Sequence, residues 1–178
     1  PKTYQDYSKY EGELKNDLRH GKGIYYYSNG DIYLGDWFDD LFDGEGVYIF
    51  QSGERYEGFL KQGKKNGLGV YYYENGNKYE GDWLNDKKHG RGVYTYLTTN
   101  ELYEGDWVEN EKQGHGTFLY SYGDKYIGGF QHNRKSGYGT LVYSSGAKYE
   151  GLWDNDLANG KGIMIYPNKD RYEGEWEN

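Results

Sequence analysis

Cysteine is absent from this 178-residue chain, proline occurs twice and methionine once. Without cysteine there are no disulfides and no thiolate zinc sites, which fits a reducing, cytoplasmic compartment. With only Pro1 and Pro167 present, almost nothing in the chain can interrupt a backbone ladder. Long apolar runs are missing too. None approaches the roughly 18 residues of a membrane-spanning helix, and no signal peptide is recognisable. Positive charge is in deficit: 21 Lys and Arg against 29 Asp and Glu leave a formal net charge of −8. Nucleic acid demands a basic footprint and is not expected as a partner. No segment has a helical apolar period. The chain opens on Pro1 rather than Met, so it is expected to belong to a longer polypeptide.

What is abundant is glycine, 29 residues, and tyrosine, 24 residues; aromatics make up 20% of the chain although hydrophobic content is only 35%. Low hydrophobicity with much glycine is a signature of disorder, but disordered chains are poor in aromatics. Glycine and aromatics at regular spacing suggest β-repeats instead. The triplet Tyr-x-Gly recurs at Tyr10, Tyr33, Tyr56, Tyr79, Tyr103, Tyr126, Tyr149 and Tyr172, with intervals of 23 residues except one of 24. Two residues after each glycine stands a large apolar residue: Leu14, Trp37, Leu60, Trp83, Trp107, Phe130, Trp153 or Trp176. Eleven residues after each of the first seven tyrosines comes Gly-x-Gly, as at Gly44/Gly46 and Gly90/Gly92.

Each unit therefore predicts two strands. In the first, alternation places Tyr79, Gly81 and Trp83 on one face and Glu80 and Asp82 on the other. Seven residues after each anchor stands Asp17, Asp40, Gly63, Asp86, Asn110, Asn133 or Asp156, residue types that tolerate positive φ in a turn. The second strand carries Gly90, Gly92, Tyr94 and Tyr96 on the tyrosine face. A second turn, such as Glu74-Asn75-Gly76-Asn77, returns the chain to the next anchor. The prediction is an all-β, elongated, single-layer antiparallel meander. At about 4.8 Å between strands, two strands advance roughly 10 Å per repeat and seven repeats about 70 Å.

A single sheet has no second layer, so the rings must supply a core from within it. The glycines are expected to leave space for rings to lie across the backbone. A phosphate cradle is the rival reading of Gly-x-Gly, but it needs a helix to follow, and here an aromatic strand follows. The residue after each Gly-x-Gly is β-branched: Ile24, Val47, Val70, Val93, Thr117, Thr140 or Ile163. These residues face away from the tyrosines, either as a binding stripe or merely as half-buried strand formers.

The run Tyr-Glu-Gly-Asp-Trp-x-Asn-Asp-x-x-His-Gly-x-Gly, at residues 79–92, resembles the MORN (membrane occupation and recognition nexus) repeat. The resemblance extends from Tyr10 to Trp176. Leu34 and Ile127 replace the usual Glu, Leu14 and Leu60 the aromatic, and the turn at residues 97–101 has one extra residue and no glycine. It implies a lead-in at residues 1–9 and an array at 10–178, seven full repeats and a partial eighth starting at Tyr172. It implies a non-catalytic scaffold or protein-interaction module without cofactor. The favoured setting is cytoskeletal, in a ciliary axoneme, since residues 16–27 look most like radial-spoke head proteins. The family also allows a phospholipid-docking module or the regulatory arm of a larger enzyme.

Candidate sites follow. A partner-binding groove is expected along Tyr33, Trp37, Tyr56, Tyr79, Trp83, Tyr103, Trp107, Tyr126, Phe130, Tyr149 and Trp153. Lys61, Lys64, Lys65, Lys87, Lys88 and Arg91 are expected on one edge, which either is solvated or meets anionic lipid. His20 and His89 share a repeat slot and are expected to be structural, and the Glu row at Glu11, Glu57, Glu80, Glu104, Glu150 and Glu173 to pair with neighbouring Lys; no catalytic or metal-ligating set is expected. The end strands near Tyr10 and Tyr172 are expected to pair with a partner, such as a second copy in a homodimer, because open edges leave unpaired backbone groups.

Overall fold

The structure, a computed structural model, describes residues 1–177. The chain forms two compact units, residues 1–87 and a second that begins at Lys88. The first contains β1 (Lys2–Thr3), β2 (Lys9–Lys15), β3 (Leu18–Tyr26), β4 (Ile32–Phe38), β5 (Leu41–Ile49), β6 (Arg55–Lys61), β7 (Lys64–Tyr72) and β8 (Lys78–Leu84). The second contains β9 (Lys87–Tyr96), β10 (Glu101–Val108), β11 (Glu111–Leu119), β12 (Lys125–Gln131), β13 (Arg134–Val142), β14 (Lys148–Asp154), β15 (Leu157–Ile165) and β16 (Arg171–Trp176). Within each unit every strand pairs antiparallel with its sequence neighbours, and no helix occurs among the described residues. The predicted meander of successive hairpins is what forms.

Two kinds of turn set the register. At one end, two-residue turns join β2 to β3, β4 to β5 and so on. Both of their residues have positive φ, as in Asp39 (44°) and Asp40 (68°), the geometry of a type I′ turn, which matches strand twist. At the other end, the N–H of Gly30 bonds Tyr27 O and the N–H of Tyr27 bonds Asp31 O. Gly30 has φ 97°, so a type I turn closes on a left-handed glycine. In the longer repeat Asn100, φ 57°, replaces that glycine.

The hairpins are bulged. Gly35 pairs with Gly46, but Trp37 pairs with Phe42, so the second strand carries two extra residues around Gly44 (φ 112°). Two extra residues preserve the two-residue alternation, and the faces stay as predicted: Tyr33, Trp37, Phe42, Gly46 and Tyr48 share one side.

The core lies on that side. Tyr10, Tyr33, Tyr56, Tyr79, Tyr103, Tyr126 and Tyr149 are the largest fully buried side chains. The rings of Tyr10, Tyr33, Tyr56, Tyr103, Tyr126 and Tyr149 each lie over the second glycine of their own Gly-x-Gly. A Cβ added at Gly46 would stand 2.3 Å from the Tyr33 hydroxyl and 2.6 Å from its ring, with the same arrangement at Gly69 under Tyr56 and Gly139 under Tyr126. The hydroxyl donates to a carbonyl three residues on, as from Tyr33 to Asp36 (2.9 Å) and from Tyr103 to Asp106 (2.8 Å). Four indoles then reach back one repeat: Trp37 Nε1 donates to Gly23 O, Trp83 to Gly69 O, Trp107 to Gly92 O and Trp153 to Gly139 O. Edge-to-face contacts link successive anchors, such as Tyr10–Trp37 at 5.5 Å and Tyr126–Trp153 at 5.4 Å.

Residues 1–9 do more than lead in. Lys2 and Thr3 pair with Tyr10 and Lys9. Tyr4 packs on Tyr25, and Tyr7 takes φ 70° at the place that Gly30 holds 23 residues later. This segment has the closing-turn conformation of a repeat. Among the described residues, it pairs only Lys9 and Tyr10 of β2 on that side.

Candidate functional site

The tyrosine face has two tiers. The anchors expected to line a groove form its floor. The tyrosine anchors are 0–1% exposed, and Trp37, Trp83, Trp107, Phe130 and Trp153 are 3–7% exposed. Above this floor a ladder of rings from the second strands and the turns after them runs from buried Tyr25 through half-buried rings to exposed Tyr122. In the first unit it runs Tyr25, Tyr27, Tyr48, Phe50, Tyr71, Tyr73, with ring centroids 4.6–6.1 Å apart. In the second it runs Tyr94, Tyr96, Phe118, Tyr120, Tyr122, at 4.6–6.0 Å. The signal for these rings is a doublet 15 and 17 residues after each anchor, Tyr25/Tyr27, Tyr48/Phe50 and onward. The anchor pattern is stronger and masks it.

Cations lie on the same face, nine residues after five of the first seven anchors, with Phe42 and Ala158 in that slot after Tyr33 and Tyr149. Arg19 sits over Tyr25 and Trp37, Lys65 over Tyr71 and Trp83, Lys88 over Tyr94 and Trp107, Lys112 over Tyr103 and Phe118, and Lys135 over Tyr126 and Trp153. Ring faces attract such charges, more so when water is displaced. Burial and repulsion from Lys112 pull the Lys88 ammonium down to about 8. Burial also pulls Lys112 and Lys135 below the ordinary lysine value.

The turns brace this face. Asp40 Oδ1 accepts from the Arg19 N–H (2.9 Å) and from Arg19 Nε (2.8 Å), while the Asp40 N–H donates to Arg19 O. Asp86, Asn110, Asn133 and Asp156 clamp Lys65, Lys88, Lys112 and Lys135 in the same way through the backbone. Sequence reasoning assigns the Asp or Asn seven residues after the anchor only the task of permitting positive φ; it also bonds the preceding repeat. At the opposite turns, Asp31 accepts from the Tyr48 hydroxyl and the Gln51 N–H, and Glu54 from the Tyr71 hydroxyl and the Glu74 N–H. Burial tends to raise Asp40, but the Arg19 hydrogen bonds and charge outweigh it and hold the carboxyl below its usual value.

The six cations expected on one edge are divided. Lys61 and Lys64 face each other beside a turn and are exposed, as is Lys87. Lys65 and Lys88 lie on the rings. Arg91 is on the far face, 3.0 Å from Asp106. Alternation sends Lys64 and Lys65 to opposite faces in the first unit, and Lys88 and Arg91 lie on opposite faces in the second. On the far face the Glu row pairs with the cation two residues earlier wherever one stands there, as in Arg55–Glu57 (3.0 Å), Lys78–Glu80 (3.1 Å) and Lys148–Glu150 (2.5 Å); Glu104 follows Leu102 instead. His20 and His89 accept from the N–H groups of Asp39 and Glu109 in the next turn. Among the described residues no three His, Asp or Glu side chains converge on a place that would hold a metal ion.

Serial antiparallel hairpins, each closing a tyrosine over its own glycine, define a β-hairpin repeat protein. The MORN repeat family model matches residues 10–32, 33–55, 56–78, 79–97, 103–125, 126–148 and 149–171, and the chain belongs to the MORN repeat family. A search of curated proteins found no significant match. Among solved structures, the chain is similar in fold to the TCP domain of Drosophila melanogaster SAS-4 (dCPAP), in complex with a proline-rich motif of Ana2 (dSTIL). The identity is 13%, the TM-score 0.57, and the coverage 99% of this chain and 95% of that one. The TCP10 domain of Danio rerio CPAP is similar at 11% identity and TM-score 0.55, over 97% of this chain and 81% of that one. The G-box domain of the microcephaly protein CPAP, for which a role in centriole elongation is suggested, is similar at 11% identity and TM-score 0.53, over 98% and 97% of the two chains.

Proposed function

We propose that this chain is a non-catalytic scaffold that docks extended segments of protein partners on its ring ladders. The observation that carries this reading is the second tier of rings. It is continuous within each unit, open to solvent from Tyr27 onward in the first unit and throughout the second, and held rigid from beneath by buried anchors. Aromatic-lined surfaces suit polyproline II segments, which are already ordered and lose little entropy on binding. The pitch also suits them. Three polyproline II residues advance about 9.3 Å, and two strands advance about 9.6 Å, so a segment running across the strands presents the same residue to each repeat. The proline-rich motif bound by the Drosophila SAS-4 domain supports this choice of ligand class.

A cytoskeletal, cytoplasmic setting follows from the same reading, with a ciliary axoneme and a radial-spoke-like assembly as the favoured place. The edges of β16 and of residues 11–15 are suited to pairing with another strand, from a second copy or from a neighbouring subunit. The test of the docking reading is fluorescence anisotropy with a labelled proline-rich peptide. Tyr120→Ala, on the ladder, is expected to weaken binding about tenfold, the scale for truncating one aromatic anchor in a groove. Leu68→Ser, on the far face, is expected to leave it unchanged. The reverse order would remove the ladder as the docking surface.

A further inference from the structure

Lys112 is 9% exposed. Its ammonium donates to the Tyr96 hydroxyl at 2.6 Å and sits over Tyr96, Tyr103 and Phe118. Lys135, one repeat later, donates to the Tyr120 hydroxyl at 3.0 Å. Neither ammonium has a carboxylate within ion-pair distance among the described residues. A buried charge without a counter-charge is costly, and the first unit avoids that cost. There the clamp residue is Asp, and it reaches the cation as well as the backbone: Arg19–Asp40 at 2.8 Å and Lys65–Asp86 at 3.6 Å. At Lys112 the clamp residue is Asn133. It keeps the backbone bond, at 2.8 Å, but brings no charge. Asp156 bonds the Lys135 N–H and lies near enough to raise both lysines, without contacting either ammonium. Between the two lysines lies a recess of about 330 Å³ lined by Lys112, Lys135, Phe118, Tyr120, Phe130 and Asp156.

We propose that this recess takes the carboxylate of an acidic side chain from an extended partner peptide, held between Lys112 and Lys135 with its apolar neighbours on the rings. The proposal rests on the docking reading above and specifies its chemistry. The lining carries two cations against one carboxylate, Asp156, in a chain whose total is −8; Glu101 lies outside the lining, near enough to raise Lys112 but without contacting its ammonium. The ring walls suit a peptide better than a hydrated free anion. One recess takes one carboxylate, and a peptide with an acidic residue every third position offers one in whichever register it docks.

The test uses the whole chain with two labelled twelve-residue peptides, one of four Pro-Pro-Glu units and one of four Pro-Pro-Gln units, together with vesicles containing anionic phospholipid. Wild type is expected to bind the Glu peptide about tenfold more tightly than the Gln peptide, the scale of one charge contact in a partly desolvated site. Asn133→Asp copies the arrangement at Asp40 and Asp86, whose φ values of 68° and 70° match that of Asn133 at 68°. It is expected to leave the melting temperature unchanged or higher and to reduce the preference to about twofold or less. Lys112→Met, which retains an apolar stem on the rings, is expected to reduce it likewise. Equal binding of both peptides to wild type overturns the carboxylate site and leaves the docking reading standing. Binding of neither peptide overturns both. Lys112-dependent binding of vesicles without peptide binding assigns the recess to a membrane and overturns the proposal.

Discussion

Replacing Gly46 by alanine is expected to lower the melting temperature of its unit by about 10 °C, while Gly53→Ala lowers it by only a few degrees. The new Cβ at Gly46 would stand 2.3–2.6 Å from the Tyr33 ring, and Tyr33 is 0% exposed. Either the strands separate or the ring leaves, and the ring is also tied by its hydroxyl to Asp36 O and by edge contact to Trp37. Overpacking costs about 1–3 kcal/mol where neighbours can yield. Here they yield poorly, so about 3 kcal/mol is expected, at 2–4 °C per kcal/mol for a chain this long. Gly53 is the opposite case. It has φ 96° but nothing within 4 Å of an added Cβ, so only conformational strain of about 1 kcal/mol applies. Thermal melting followed by near-ultraviolet circular dichroism reads both. Equal losses would show that the glycines serve backbone conformation rather than ring packing.

Removing a turn clamp is expected to have the next largest effect. Asp40→Ala removes the bonds to the Arg19 N–H and guanidinium and puts alanine at φ 68°. At about 1 kcal/mol for each bond removed and about 1 for the strain, roughly 2–3 kcal/mol is expected. Asp40→Asn retains the backbone bond and tolerates the conformation, so about 1 kcal/mol or less is expected, since the carboxylate is part-exposed. The sign with pH follows from the depressed Asp40 carboxyl, whose unperturbed value is 3.8. Its contribution is complete above that value and disappears as pH falls through the lower folded one. Wild type and Asp40→Asn should therefore differ at neutral pH and converge below about pH 4. Chemical denaturation at several pH values measures this, and a difference that grows in acid would contradict the assignment.

The repeat period, the strand pairing and the steric role of Gly-x-Gly were legible because each rests on residue type at fixed spacing. Positive φ at the second turn residue was legible for the same reason, since Asp, Asn and Gly accept it. Positive φ at the first turn residue was not. Gln62, Glu109 and His132 adopt it at 50°, 47° and 49° because the two-residue turn demands it, whatever their own preference. The docking face was legible only as a face. Alternation identifies which residues share a side, but not which ring lies beneath another. The Tyr and Trp anchors are buried because glycine lets them lie flat against the backbone, and the rings of the second strand then stand over them. The distribution of the Lys61–Arg91 cations was illegible for a related reason. Adjacency in sequence does not give a shared face: Lys65 and Lys88 lie on the rings and Arg91 on the far face. The Asn133-for-Asp exchange was visible as letters, yet its meaning depended on knowing that the clamp residue also reaches a cation.

The most direct measurement is a nuclear magnetic resonance titration of the labelled chain with the Pro-Pro-Glu peptide, following backbone amides and tyrosine ring signals. Docking on the ladder predicts that the largest shifts fall on Tyr96, Phe118, Tyr120 and the amides of Lys112 and Lys135, while Leu68, Tyr138 and Leu152 on the far face stay still. Shifts concentrated on Leu68, Tyr138 and Leu152, or spread evenly over both faces, would contradict it.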